Sequence, residues 1–226
     1  MIEIALSIAI VAFAMVAIMG VLPTGLNVQK ENRDDTLISQ DGPFLIDAIR
    51  NGVTNLTDIS NNLVWIELRR NNLLIGGQRY YQSNYNLSSR QIIGYMSTPK
   101  VEPGTTNLLS LRARFLANSG GQAQKASTTR DLAFSYLLSS EVVPFTPTPG
   151  LTTNVYDNLV TNLYEIRVEV RWPVYGAGSN DTNTGNYKQV FRALSSGHLR
   201  QEVVTNVNLT NTALYFFEPS VFAPAY

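Results

Sequence analysis

The sequence predicts an α+β protein: a long N-terminal helix, apolar in its first half and amphipathic in its second, packed on an antiparallel β-sheet head domain. Three observations predict it. From Ile4 to Leu22 the chain reads IALSIAIVAFAMVAIMGVL, interrupted only by Ser7 and Gly20. Between Asn27 and Arg50 apolar residues return at spacings near the helical period. From about residue 91 onward the period becomes two, the signature of strands with one apolar face. The expected organisation is a transmembrane or filament-core helix over 1–28 and an extracytoplasmic α+β head domain over 29–226.

A helix over Ile4–Leu22, at about 1.5 Å per residue, spans the roughly 30 Å hydrocarbon core of a bilayer. It has no polar stripe, so lipid or other protein must cover it on every side. Glu3 breaks the pattern, because a carboxylate at the head of an apolar helix needs a partner or a proton. A cleaved secretory signal fits poorly: its apolar core is usually about 7–15 residues behind a basic segment, and here an acid stands first. Two readings remain, a membrane anchor and a helix that packs with copies of itself.

Pro23 cannot donate to the carbonyl of Met19, so a helix passing through it is weakened or kinked. Either the membrane helix ends there, or Pro23 marks a joint that stretches when subunits stack. Helical spacing then resumes with Leu37, Ile38, Leu45, Ile46 and Ile49, a stripe suited to lie on a globular domain. Asp41-Gly42-Pro43 is expected to interrupt it, with Asp41 capping a second helix and Pro43 in its first turn. Lys30, Glu31, Arg33, Asp34 and Asp35 read as a solvated face near the subunit junction of any filament. Asn51-Gly52 reads as a helix stop.

Beyond it, Val64–Leu68 is a strand candidate, and Tyr80, Tyr81 and Tyr85 are expected to cover one edge of the core. Strands are expected over Gln91–Met96, Leu108–Leu116, Leu132–Leu138, Glu165–Trp172, Tyr187–Leu194 and Glu202–Leu209. The clearest is Glu165–Trp172, where Ile166, Val168, Val170 and Trp172 face one way and Glu165, Arg167, Glu169 and Arg171 the other. Such strands predict an antiparallel sheet covered on one side. The apolar, aromatic tail ALYFFEPSVFAPAY is seldom left in solvent. Its first home is its own subunit's core, its second a neighbouring subunit.

Composition argues for a surface protein and against an enzyme. Charged residues make up 15% of the chain, against a usual value of about 25%. Formal net charge is zero, which predicts no electrostatic footprint for nucleic acid or anionic lipid. With Cys 0 and His 1, a disulfide framework, a thiol nucleophile and a His-based zinc site are excluded. No phosphate-binding loop, nucleophile motif or metal-ligand spacing is present, so no cofactor is expected. His198 reads as a surface residue. Asp181, Asn183 and Gly185 fall short of a calcium loop, which needs more carboxylates at regular spacing. Asn55, Asn86, Asn180 and Asn208 head Asn-x-Ser/Thr sequons and are candidate glycosylation sites. Thr146 and Thr148 are candidate O-glycan positions.

MIEIALSIAIVAFAMVAIMGVLPTGL resembles the start of a type IV pilin or pseudopilin. That family carries a glutamate at the fifth mature position of an apolar helix and often a proline about twenty residues later. Glu3 matches the glutamate if two residues precede Met1 in the mature chain, and Pro23 matches the proline. The leader, the aromatic first mature residue and the C-terminal disulfide of many members are not in this sequence. The resemblance covers roughly the first fifty residues, and the rest only in layout. It implies a pilin-like fold and a structural subunit of a bacterial surface filament that polymerises with copies of itself. Glu3 and Pro23 would act in assembly, and Glu3 would pair with a neighbour's N-terminal amine. Prepilin peptidase, the pilus assembly machinery and the inner membrane would be partners before assembly. The alternatives are a pseudopilin of a type II secretion or DNA-uptake machine, and a membrane-anchored adhesin or glycan-binding domain that never polymerises.

Overall fold

The computed structural model describes residues 2–52, 57–117, 134–147, 150, 153–175, 183–206 and 209–222. The chain divides into two compact units, Met1–Ser39 and Gln40–Tyr226. Helix α1 is continuous from Ile2 to Asn51. It ends where the sequence places a stop: Gly52 has φ +55 and returns its N–H to the Ile49 carbonyl at 3.3 Å. That left-handed backbone costs glycine nothing.

The second unit is built on an antiparallel sheet. Its strands are β1 (Leu63–Arg70), β2 (Leu73–Leu74), β3 (Tyr80–Tyr81), β4 (Leu109–Leu116), β5 (Ser135–Pro144), β6 (Leu163–Tyr175) and β7 (Asn183–Ser196). They run in the order β2-β1-β4-β5-β6-β7, with β3 also pairing β1. A separate hairpin joins β8 (His198–Asn206) to β9 (Leu209–Glu218). Short helices α2 (Thr57–Asn62), α3 (Gln82–Tyr85), α4 (Ser89–Met96) and α5 (Thr153–Asn162) complete the described elements.

Strand alternation separates two sheet faces, because residues paired across strands share a face. On the inner face lie Phe115 and Tyr136, Leu111 and Val168, and Ile166 and Val170, all buried. The Gln40–Asn51 part of α1 packs on this face through Leu45, Ile46, Ala48 and Ile49. The Tyr136 hydroxyl donates to Asp41 at 3.1 Å. Burial, reinforced by the Asp41 charge, pushes that hydroxyl well above its ordinary pKa.

Three expectations are corrected here. Asp41-Gly42-Pro43 does not break the helix. Pro43 removes one backbone hydrogen bond and Gly42 costs about 1 kcal/mol. Several buried apolar side chains at about 1.5–3 kcal/mol each outweigh both. Gly42 also lets the helix approach, since a Cβ there would lie 2.3 Å from the Phe191 ring. Gln91–Met96 is helix α4 rather than a strand. Its Ser88 hydroxyl accepts the Gln91 N–H while the Gln91 side chain accepts the Ser88 N–H, a complete capping box. Ser140 Oγ donates to the Met96 carbonyl at 2.8 Å and fixes the end of α4 on the inner face. The strand expected over Leu132–Leu138 runs instead over Ser135–Pro144, Leu132 itself lying outside the described residues.

The expected strands at Val64–Leu68, Leu108–Leu116, Glu165–Trp172 and Tyr187–Leu194 are all present, with longer bounds in three of the four. The segment Glu202–Leu209 belongs to two strands, β8 and β9. Tyr80 is buried, edge-on to Tyr85 at 5.2 Å and stacked with Tyr95 at 6.2 Å, so the tyrosine cluster closes the core beside β1.

Candidate functional site

The first candidate surface is the apolar half of α1. Ile2, Phe13 and Met19 are 86%, 79% and 72% exposed, and the large apolar residues between them point around the whole circumference. The helix is long and apolar enough to cross a membrane. Glu3 lies in its first turn, where a carboxylate favours the positive end of the helix dipole. Ser7 donates its hydroxyl to the Glu3 carbonyl at 2.8 Å, which leaves the Glu3 carboxylate outside that bond. Pro23 lies inside the helix, which neither starts nor stops there.

The sequons separate. Asn86 is exposed at the C-terminal cap of α3 with φ 45, and its N–H donates to the Gln82 carbonyl at 3.0 Å. The serine of that sequon, Ser88, is already engaged in capping α4. Asn55, Asn180 and Asn208 lie outside the described residues, as do Thr148 and Asp181, while Thr146 is exposed. Asn183 and Gly185 are strand residues of β7, paired with β6 rather than arranged in a loop. His198 opens β8 and gives its N–H to the Val221 carbonyl at 2.7 Å. Among the described residues no cluster of His, Asp and Glu is set for a metal ion.

The second candidate surface is the outer sheet face, and sequence reading missed its organisation. Here the carboxylates sit between cations. Glu67 is fully buried, its two oxygens taken by Arg69 Nε at 2.9 Å and Arg79 Nε at 2.6 Å. Glu169 lies between Arg171 at 2.6 Å and Lys188 at 2.9 Å. Glu165 is bonded by Arg167 and has Arg192 at 3.8 Å. Glu141 takes Lys100 at 3.1 Å. Arg112, exposed between Glu67 and Ser139 in the register, has no carboxylate partner among the described residues. Arg114 gives Nη2 to Ser135 Oγ. The alternation ELRR and EIRVEVR carried this signal: each run puts acid and base on one face, and the register then brings in Lys188 and Arg192 from β7.

The pairing sets the titration of these acids. The Arg167 hydrogen bond holds the Glu165 carboxyl below its ordinary 4.5. At Glu169 burial pushes upward, but bonds from Lys188 and Arg171 outweigh it, and the carboxyl again falls below 4.5. A carboxyl depressed by folding adds stability that is complete above its unfolded pKa and is lost as pH falls through the folded value. The urea midpoint is therefore expected to stay level from about pH 7 to 5 and to drop below about 4.5. A Glu165→Gln variant should show a shallower drop. An equal drop would mean that Glu165 contributes nothing.

No protein-family model, curated protein or solved structure matches the chain.

Proposed function

We propose that the chain is a structural subunit of a type IV pilus-like bacterial surface filament, polymerising through its N-terminal helix. The observation that carries this reading is the exposure of that helix's apolar side chains on every side. Each large one contributes about 1.5–3 kcal/mol when fully covered, so a solvated helix of this kind finds lipid or sister helices. Glu3 favours sister helices. In a bundle its carboxylate would meet a neighbour's N-terminal amine, and an uncompensated charge there would cost several kcal/mol or so. The pair would fix subunit register rather than supply stability. The resemblance of the first fifty residues to type IV pilins supports the same reading. Before assembly the helix would hold the subunit in the inner membrane, where prepilin peptidase and the assembly machinery would act on it.

The deciding experiment is electron microscopy of material sheared from cells, with the filament protein identified by mass spectrometry. Long filaments made mainly of this chain are expected. A Glu3→Ala variant should still fractionate with membranes while filament yield falls at least tenfold. Normal filaments from that variant would remove Glu3 from assembly. A chain found only in membranes, never in filaments, would leave a non-polymerising anchored domain or a pseudopilin.

A further inference from the structure

Strand β7 ends the sheet with an open side. Among the described residues it pairs with β6, and no strand pairs with its other side. At 14 residues it is the longest described strand. An edge strand presents a row of unpaired N–H and C=O groups, and proteins shorten, cover or break such edges. The opposite edge is treated that way, since the two-residue strands β2 and β3 overlie β1. Strand β7 holds no proline, and its bulge falls at one end, opposite Trp172–Val174. From Tyr187 to Ser196 its ladder with β6 is regular. Along this part Val190 is 40% exposed and Leu194 49%, two large apolar side chains on the outer face. The cations between them already face β6: Lys188 meets Glu169 at 2.9 Å, and Arg192 stands 3.8 Å from Glu165.

We propose that β7 is a dimer edge: it pairs antiparallel with β7 of a second copy, about a two-fold axis at Phe191, and extends one sheet across two head domains. Such an axis stands perpendicular to the sheet and keeps like faces together, so it passes between two copies of one residue. Two registers keep nine residues of the regular segment paired, one centred on Phe191 and one on Arg192. The second sets Arg192 against its own copy, and like charges directly opposite are destabilising. The first sets Lys188 against Leu194 and Val190 against Arg192, twice each by symmetry. Each apolar side chain of the outer face then lies beside the aliphatic stem of a cation, and no cation lies opposite another. Every second pair exchanges two backbone bonds, so nine pairs make about nine. A standard interface carries about 10 ± 5.

The helices leave room for this pairing. Asp41 is bonded to Tyr136 on β5 and Gly42 reaches Phe191 on β7, so α1 crosses above β6 there. At about 4.7–4.9 Å per strand, the two copies of α1 stand roughly 14 Å apart at this level, beyond the 8–10 Å of packed helices. The acids Glu31, Asp34 and Asp35 of a second copy are poorer occupants, because they stand on a helix and an edge takes an extended segment. A two-fold contact closes on itself and uses no residue of the apolar half of α1, so it does not depend on the filament reading.

The test uses the absence of native cysteine, which removes any background of disulfides. Full-length Val190→Cys and Arg192→Cys variants are purified in non-ionic detergent, mixed and oxidised. Residues opposed in an antiparallel pair have Cα atoms about 4.5–5.5 Å apart, inside the disulfide range. The mixture should give about fivefold more linked dimer than either variant alone, or than Val190→Cys mixed with Leu194→Cys. Gln189→Cys with Ala193→Cys repeats the test on the inner face, and thermal melts check that each variant is folded. By sedimentation, Val190→Lys should weaken the dimer roughly tenfold, since it sets two like pairs across the axis, and Val190→Glu should strengthen it. Equal cross-linking in every mixture, as contact through the apolar helices would give, overturns the proposal. So do dimers from Val190→Cys with Leu194→Cys in place of the first mixture, which belong to the other register. A chain that sediments as a monomer also overturns it, in favour of an extended segment of another protein at this edge.

Discussion

Deleting residues 213–226 is expected to abolish folding of the head domain. The strand β9 carries Leu214, Tyr215, Phe216 and Phe217, four consecutive side chains that are all buried. A strand buried on alternate residues rests on one neighbour; one buried on successive residues is covered on both sides. Phe216 lies beneath the Arg90 guanidinium at 4.3 Å, and Phe217 meets Tyr164 edge-on at 5.6 Å. A Cβ on Gly94 would fall 2.7 Å from the Phe216 ring, so α4 is seated directly on this strand. At about 1.5–3 kcal/mol per large side chain, the four contribute roughly 6–12 kcal/mol. A whole domain is stable by only about 5–15 kcal/mol. The truncated chain should therefore lose its cooperative thermal transition and be degraded at once by limiting protease. Phe216→Ala should cost about 3–5 kcal/mol and leave a folded but weakened protein. A truncated chain that melts like the full one and fails only to associate would place the tail between subunits instead.

How much of this was legible depended on what each residue had to reveal. In β4 and β6, one face meets the core and the other meets solvent, so Leu109 to Phe115 and Ile166 to Trp172 alternate cleanly and were read correctly. Segment β9 is covered on both sides and shows no alternation, so LYFF looked like a tail. The run QIIGYM is too short for period to separate a strand from a buried helix. The deciding signal was the serine three residues before its glutamine, a capping pair in plain view. Helix α5, over Thr153–Asn162, was not anticipated at all. Its segment, rich in Asn and Thr, has low helix propensity, and it is held by neighbouring strands rather than by its own sequence. The opposite error fell at Asp41-Gly42-Pro43, where a local break signal lost to the apolar stripe beyond it. Of the candidate surfaces, the apolar helix was readable because hydrophobicity is a property of one continuous segment. The paired charges of the outer sheet face were not, since register brings them together from separate strands.

Replacing Glu67 by alanine is expected to destabilise the head domain by about 3–5 kcal/mol, more than any other single charge change on the sheet. Glu67 is 0% exposed, and its partners Arg69 and Arg79 are only 25% and 14% exposed. The Arg79 guanidinium also lies 4.4 Å above the Trp65 ring, so its stem and charge are fixed between an aromatic face and a carboxylate. The exposed pairs of this face, such as Lys100 with Glu141, are screened by water and contribute a fraction of a kcal/mol or nothing. Glu67 differs because its loss strands two cations in a place that water reaches poorly, and it is the stranded charge that costs, not the missing attraction. In a domain of this size the melting temperature should fall by roughly 6–20 °C. Glu67→Gln keeps an acceptor but not the charge, and should fall between the variant and the parent. Removing all three charges together, with Glu67→Leu, Arg69→Met and Arg79→Met, should recover most of the loss, because nothing is then left unpaired. If the triple variant were as unstable as Glu67→Ala, the cost would lie in packing around Trp65 rather than in charge. If Glu67→Ala melted within about 2 °C of the parent, water would have to reach both guanidiniums, and the carboxylate could not be holding β1 and the segment before β3 together.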